Sequence, residues 1–369
     1  IRDTSVTGVQ TCALPICVAI GLAALSVAER LGHSVIGGTE TTRPGSVLGN
    51  ATDQGVVAVM LLAVVLAVVL VVVPAEATPT TGADARRRAV ATLAAACCLV
   101  TVVVSGSRGA LVLAVLVIAC LLVGSRSAAR RLVLPLAALA AAGLLTAVLD
   151  PTLRDRLANV GTIEGRWRLW SIAARLAIDH PVLGVGPSRF VDSFAHAEDA
   201  AYVRATGGTS VPDSPHSLVL QVLLAGGVPL LLVGLGAAGW CLALVRRRLR
   251  AAPWLAGPAL AVAVALIAGL ANPTQTGSTL LAAVLAGVVL AEPPAIDRAP
   301  SPVLRAVGLG AASIAVVVGG LACVTDRLLL VGVDDLAAGR PADGLAATHR
   351  AARLGWWDAD TALIAARLE

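Results

Sequence analysis

Lysine is absent from this chain: all 28 basic residues are arginine. Alanine is abundant too, and a GC-rich coding sequence inflates both, so meaning attaches only to where each arginine sits. Charge of either sign is scarce. Charged residues make up 14% of the 369 positions, against about 25% in an ordinary soluble domain, while 57% are hydrophobic. Mean hydropathy is +0.86. That balance excludes a typical water-soluble globule and fits an integral membrane protein. A net charge of +5 is too small for a nucleic-acid binder and fits the loop bias of membrane proteins.

Other absences narrow the chemistry. No two cysteines form a CxxC pair, and Cys97, Cys98, Cys120, Cys241 and Cys323 lie inside apolar runs, as small buried hydrophobes do. Histidines and aspartates lack the close spacing of a zinc or other metal site, so no metal or cofactor is expected. No initiator methionine opens the chain. Val6 to Ile16 reads VTGVQTCALPI, which resembles the in-frame translation of a sequencing adapter, so residues 1–16 are set aside as non-native and the native start is expected to be missing.

What the chain does have is long apolar runs. A spanning helix needs about 20 apolar residues. Candidates run near 17–28, 55–74, 89–105, 109–124, 131–149, 216–245, 254–271 and 303–324, with a shorter ninth at 278–291. Short loops holding Arg86–Arg88, Arg126 with Arg130 and Arg131, Arg246–Arg250, and Arg298 with Arg305 all fall on one side if the ninth spans, which marks that side as cytoplasmic. The 30–54 loop, the Ser105–Arg108 corner, the 150–215 segment, the NPTQTGS turn at Asn272 and the tail then face outward. The expected fold is all-α, a polytopic transmembrane bundle: 17–149 as N-terminal helices, 150–215 as a large extracytoplasmic loop with short helices, 216–324 as C-terminal helices. The 325–369 tail looks like a tetratricopeptide-type helical pair around a Gly-Arg-Pro turn, or else an amphipathic tail at the membrane surface.

The stretch from Gly165 to Leu231 holds three of the five histidines, both phenylalanines and the only tyrosine. Arg166 to Ile178 carries Trp167, Trp170, Ala174 and Ala177 at helical spacing and reads as an interfacial helix. HPVLGVGPSRF supplies Gly184, Gly186 and Pro187, a turn that lets backbone approach a ligand; its GxG is too weak to mean a nucleotide site.

Charge at a membrane is costly and tends to have a purpose. Arg108, in SGSRGALVLAVL, is isolated where the inside-positive bias disfavours it. It is either a snorkelling helix end or a guanidinium suited to grip phosphate. Arg166 and Arg168 cannot both face one ligand from a helix; Arg166 is the better candidate and Arg168 also reads as an interfacial anchor. His216 follows Pro215 and opens the longest apolar run. It is either a cap or solvent contact, or an imidazole able to orient or deprotonate a sugar hydroxyl. His180 shapes its turn, and His196 has no assigned role.

These residues carry a resemblance. SRGALVLAVLV, then RWRLWSIAARLAIDHPVLGVGPSRF, then PHSLVLQVLLAGGVPLLL is similar, in order and spacing over about Val90 to Ala291, to the O-antigen ligase and polymerase superfamily of bacterial membrane proteins. The most specific part is DHPVLGVG at 179–186 with His216 downstream. The resemblance implies a GT-C-like bundle in the inner membrane that moves glycan from an undecaprenyl-diphosphate carrier to a glycan, lipid or protein acceptor, without metal and without nucleic acid. It implies that Arg108 and Arg166 bind the donor diphosphate and that His216 activates or orients the acceptor; Arg168, Gly184 and Gly186 are further substrate-binding candidates from their places in the loop. Ligase and polymerase share this donor and are told apart by product analysis. A transporter of the same lipid-linked glycan is the other class, but internal repeats and midplane charges typical of transporters are not found. A scaffold role for loop and tail is the third.

Overall fold

The computed structural model describes residues 5–33, 45, 48–71, 82–124, 161–187, 189–207, 212–272, 275–291, 302–356 and 366. All regular structure among them is helical. They divide into two compact units, one formed by residues 1–33 with 40–291 and the other by 34–39 with 292–369.

The first unit is built around α2 (Ala51–Val71). Asn50 caps it, its Oδ1 accepting from the amides of Thr52 at 2.8 Å and Asp53 at 3.3 Å. The helix is apolar all round, which demands a central position, and Ala58, Val59, Met60, Leu62, Ala63 and Ala67 are fully buried. Around it pack α1 (Ser5–Arg30), α3 (Gly82–Ser105), α4 (Arg108–Gly124), and, later in the chain, α9 (Ala256–Gly269) and α10 (Thr276–Leu290). Small residues permit the closest approaches. A Cβ on Gly257 would lie 2.7 Å from the Ala67 methyl, and one on Gly55 would lie 2.8 Å from both Ala110 and Ser105.

Between α4 and α9 the chain forms a smaller polar assembly: α5 (Gly161–Asp179), α6 (Phe190–Ala197) and α7 (Ala200–Thr206), then the long α8 (Leu218–Ala251) and a 3-10 turn at Pro253–Leu255. Its core joins Leu169, Ile172, Ala173 and Leu176 of α5 to Phe190, Phe194, Tyr202 and Leu224. Phe194 sits 5.4 Å from the Phe190 ring and meets Tyr202 edge-on at 5.0 Å. The buried face of α5 is therefore the Leu/Ile face, while Trp170 is half-buried. Trp167 is 69% exposed, because the aromatic trio has already filled the apolar side.

The joint between this assembly and the bundle is a break in α8. Gly226 (φ −156°, ψ 19°) and Gly227 (φ 68°, ψ −165°) leave the helix, and Pro229 follows in the first turn of the resumed helix, where its missing N–H costs nothing. The break frees the Leu224 carbonyl, which accepts from Val185 N at 2.8 Å and Gly186 N at 3.0 Å, while Val228 N donates to Pro181 O at 2.8 Å. Gly184 and Gly227 interlock: a Cβ on the first would stand 2.2 Å from Leu224 O, and one on the second 2.4 Å from Val182 O. The HPVLGVG turn thus docks into the α8 break through backbone hydrogen bonds, with Val185 packed against the cluster that includes Leu224.

Expected spans correspond to α1–α4 and α8–α10, and in the second unit to part of α11 (Pro302–Ala337); 131–149 lies outside the described residues. Among the described residues one helix, α8, is long and apolar enough to cross a membrane, with mean hydropathy 2.4. Shorter apolar helices cover 51–67, 89–105, 108–121, 253–269 and 276–290. Large apolar side chains are exposed on several of them, among them Leu232, Val233, Trp240, Val115, Leu116 and Val284.

The second unit is a helical hairpin. α11 runs without interruption through 324, so the apolar segment and the start of the tail are one helix. The chain reverses at Gly339 (φ 74°) and Arg340, whose guanidinium pairs with Asp335, and returns as α12 (Pro341–Leu354). Gly332 and Gly344 let the two helices close on Thr348 and Leu336.

Alanine at Gly184 or Gly227 forces a positive φ and an overlap with a carbonyl, and is expected to lower unfolding stability by at least about 2 kcal/mol. Gly234→Ala, on open helix surface, is expected to leave it unchanged. Thermal unfolding of the purified protein in detergent checks the contrast.

Candidate functional site

One end of the first unit collects polar groups. Ser107 opens α4, its Oγ accepting from Ala110 N at 3.3 Å, and so fixes Arg108 in the first turn of the helix. Gly109 carries no side chain, and a Cβ there would lie 3.9 Å from Asn272 Nδ2. Asn272 follows the end of α9 and anchors itself by donating to Ala268 O at 2.9 Å. Its Oδ1 accepts from Arg166 Nη2 of α5 at 3.5 Å. Leu218, at the start of α8, approaches Gly269, which brings His216 to the same end.

The electrostatics of the cluster follow from this gathering. Burial first, and then the Arg108 guanidinium, pull the Arg166 pKa below its ordinary value. Arg166 nevertheless stays cationic at neutral pH, since a guanidinium starts far above the physiological range. Burial lowers the His216 pKa as well; Asp213 opposes the shift and Arg166 adds to it. The imidazole is thus held in its neutral form near pH 7. Arg166 therefore lies within electrostatic range of both Arg108 and His216. Two cations and a neutral imidazole in one partly desolvated place make a site that gains most from a multiply charged anion.

His216 also has unusual geometry. It is the one non-glycine among the described residues in the left-handed region, φ 51°. Such strain is retained when the surroundings require it. Its Nε2 lies 3.9 Å from Asp213 Oδ1, and its Nδ1 is buried with no hydrogen-bond partner among the described residues. A buried ring nitrogen left so is costly, and a substrate group could satisfy it.

Other candidates are engaged elsewhere. Arg168 turns away to an i,i+4 pair with Glu164, Nη2 to Oε1 at 2.7 Å. Gly184 and Gly186 give their close approach to the Leu224 carbonyl, so here the turn's backbone serves docking onto α8. His180 and His196 bond to the Leu176 and Asp192 carbonyls of their own helices.

Two residues at the site carried no assignment from sequence. Asn272 sits beside both arginines' helices, and Asp53 lies buried at the start of α2. Asp53 Oδ2 accepts from Gly277 N and Oδ1 from Ser278 N, both at 3.0 Å, so the carboxylate caps the first turn of α10 across the bundle. The polar NPTQTGS stretch between two apolar runs was the available signal for Asn272, and a lone carboxylate at the head of an apolar run was the signal for Asp53. Asp53, Asn272, Gln275, Ser278 and Thr279 share a cleft of about 220 Å³ with the apolar Val56, Leu218, Ala265, Leu266 and Ala282.

Residues 93–235 match the family described as O-antigen ligase. No curated protein matches the chain. The matched span contains Arg108, Arg166, the docking turn, His216 and the α8 break, while Asp53 and Asn272 lie outside it.

Histidine-selective NMR titration tests the field. Arg166→Gln removes a repelling cation and is expected to raise the His216 pKa; Asp213→Asn removes an attracting anion and is expected to lower it. An unmoved titration in both variants contradicts the arrangement.

Proposed function

We propose that this chain, whose residues 93–235 belong to the O-antigen ligase superfamily, transfers a glycan from a polyprenyl-diphosphate carrier to an acceptor hydroxyl at the outer face of the inner membrane. Family membership carries the coarse part, an enzyme of polysaccharide assembly. The observation that carries the finer part is geometric: Arg166 bonds to Asn272, which lies against the first turn of the helix that bears Arg108, at the end of the bundle where the half-buried His216 precedes α8.

The chemistry assigned to these groups is a displacement at the sugar's anomeric carbon. The acceptor oxygen forms a new bond to that carbon, the bond from carbon to the diphosphate oxygen breaks, and the diphosphate leaves on its lipid with the electron pair. Arg108 and Arg166 stabilise the charge that develops on the leaving oxygen; preorganised cations of this kind need no reorganisation at the moment of reaction. His216, neutral at the start, takes the acceptor proton. Asn272 and the apolar cleft beside it are where the lipid end approaches.

The bundle is proposed to be polytopic, its exposed apolar side chains facing lipid. The direction of α8 supports the outward placement of the site. It starts at Leu218, two residues after His216, and ends in Arg246, Arg247, Arg248 and Arg250, up to about 48 Å away at 1.5 Å per residue, and arginine-rich ends stay in the cytoplasm. Arg248 donates to the Ala291 carbonyl just after α10, so both helices end together there.

Arg108→Ala, Arg166→Ala and His216→Ala are each expected to reduce surface-glycan transfer by about a hundredfold or more while membrane insertion persists. Full transfer in the Arg108 and His216 variants defeats the proposal. Since the base must be neutral and its pKa is depressed, the acid limb of kcat/KM is expected below the ordinary histidine range, and Asp213→Asn moves it lower still.

A further inference from the structure

We propose that Asn272 is a positioning residue: its carboxamide holds the Arg166 guanidinium on the side of Arg108 while leaving the Arg166 charge uncancelled for the anion. This inference rests on the diphosphate-site reading above and assigns a role to a residue outside the matched span.

Two guanidiniums within Coulombic range repel, and a side chain as long as arginine swings outward unless something holds it. A carboxylate acceptor is the commonest solution, and it is the wrong one here. It would occupy two donors of the fork and cancel one of the two charges on which the anion depends. The carboxamide oxygen of Asn272 accepts a single N–H from Nη2, leaves the other guanidinium donors free for phosphate oxygens, and adds no charge. The nearby carboxylate is correspondingly kept out of competition. Asp53 has both oxygens engaged by the Gly277 and Ser278 amides at the positive end of α10.

Asn272 is also built to stay put. Its Nδ2 is bound to Ala268 O, which fixes the amide so that the oxygen, not the nitrogen, faces Arg166. Gly109 leaves room for it against the first turn of α4. On the far side of the same connection, Asp53 grips the start of α10, and a Cβ on Gly277 would stand 2.6 Å from its Oδ2. The turn that carries Asn272 is thereby tied at both ends, to α9 and to α2.

The experiment measures binding of farnesyl diphosphate, a short isoprenyl diphosphate, to the full chain in lipid nanodiscs at fixed ionic strength. Asn272→Ala is expected to weaken binding about tenfold and Asn272→Gln less than that, since a neutral acceptor is retained. Asn272→Asp, which like Asn272→Ala loses the bond to Ala268 O but sets a carboxylate against Arg166, is expected to bind more weakly than Asn272→Ala at a similar unfolding temperature. Equal losses in the Ala and Asp variants accompanied by lowered unfolding temperatures would make the role merely structural and overturn the inference. So would an Asn272→Asp protein that binds as well as the unaltered one while Arg166→Ala does not. If Arg108→Ala and Arg166→Ala both bind normally, the diphosphate site itself fails, and this inference with it.

Discussion

The Leu224 carbonyl, released where α8 breaks at Gly226 and Gly227, is the contact on which the site depends. Two amides of the HPVLGVG turn close on it, and Gly184 and Gly227 leave no room there for a side chain of their own. Because the contact is made by backbone, it fixes position without any adjustable side chain. It ties the end of α5 to the first turns of α8, and these two elements carry Arg166 and His216. The aromatic core of Phe190, Phe194 and Tyr202 stiffens the same assembly from the other side.

A second constraint is electrostatic. Arg108 comes from the first turn of α4, Arg166 from α5 and His216 from the approach to α8, so the cluster exists only when three separate parts of the chain meet at one end of the bundle. Like charges do not gather of their own accord, and folding must overcome their repulsion through the packing elsewhere. Such arrangements are retained at functional places, where the strain is relieved by a ligand. The left-handed backbone at His216 and its unsatisfied Nδ1 point in the same direction. Burial and the neighbouring guanidinium depress the imidazole, which suits the proposed role of a base that begins neutral.

Much of this was legible in the residues before any coordinates. Charge is so rare in this chain that an isolated Arg108, the arginines of GRWRLW and a histidine opening an apolar run stand out by scarcity alone, and all-helical structure follows from the long apolar runs. Arg166 and Arg168 also separate as helix geometry requires, one toward the bundle and one back onto Glu164. What stayed hidden depends on partners distant in the chain. The LAGGVP segment reads as part of one apolar run, because hydropathy registers glycine as neutral and says nothing about a docking turn forty residues upstream. Gly184 was marked for its freedom, but freedom alone does not tell whether a ligand or the Leu224 carbonyl takes the space. Which residues of α5 are buried, Leu169 and Ile172 rather than Trp167, stayed hidden because the deciding aromatics lie beyond the helix. Asn272 and Asp53 are ordinary polar residues until the bundle sets them beside Arg166 and the start of α10.

The central claim is that the Arg108 and Arg166 guanidiniums together receive a lipid-borne diphosphate. Cryo-electron microscopy of the chain with a polyprenyl-diphosphate-linked glycan bound tests it most directly. The account predicts the two phosphates between those guanidiniums, with the sugar directed toward His216. Phosphate density at the opposite end of α8, among Arg246, Arg247 and Arg248, would contradict it.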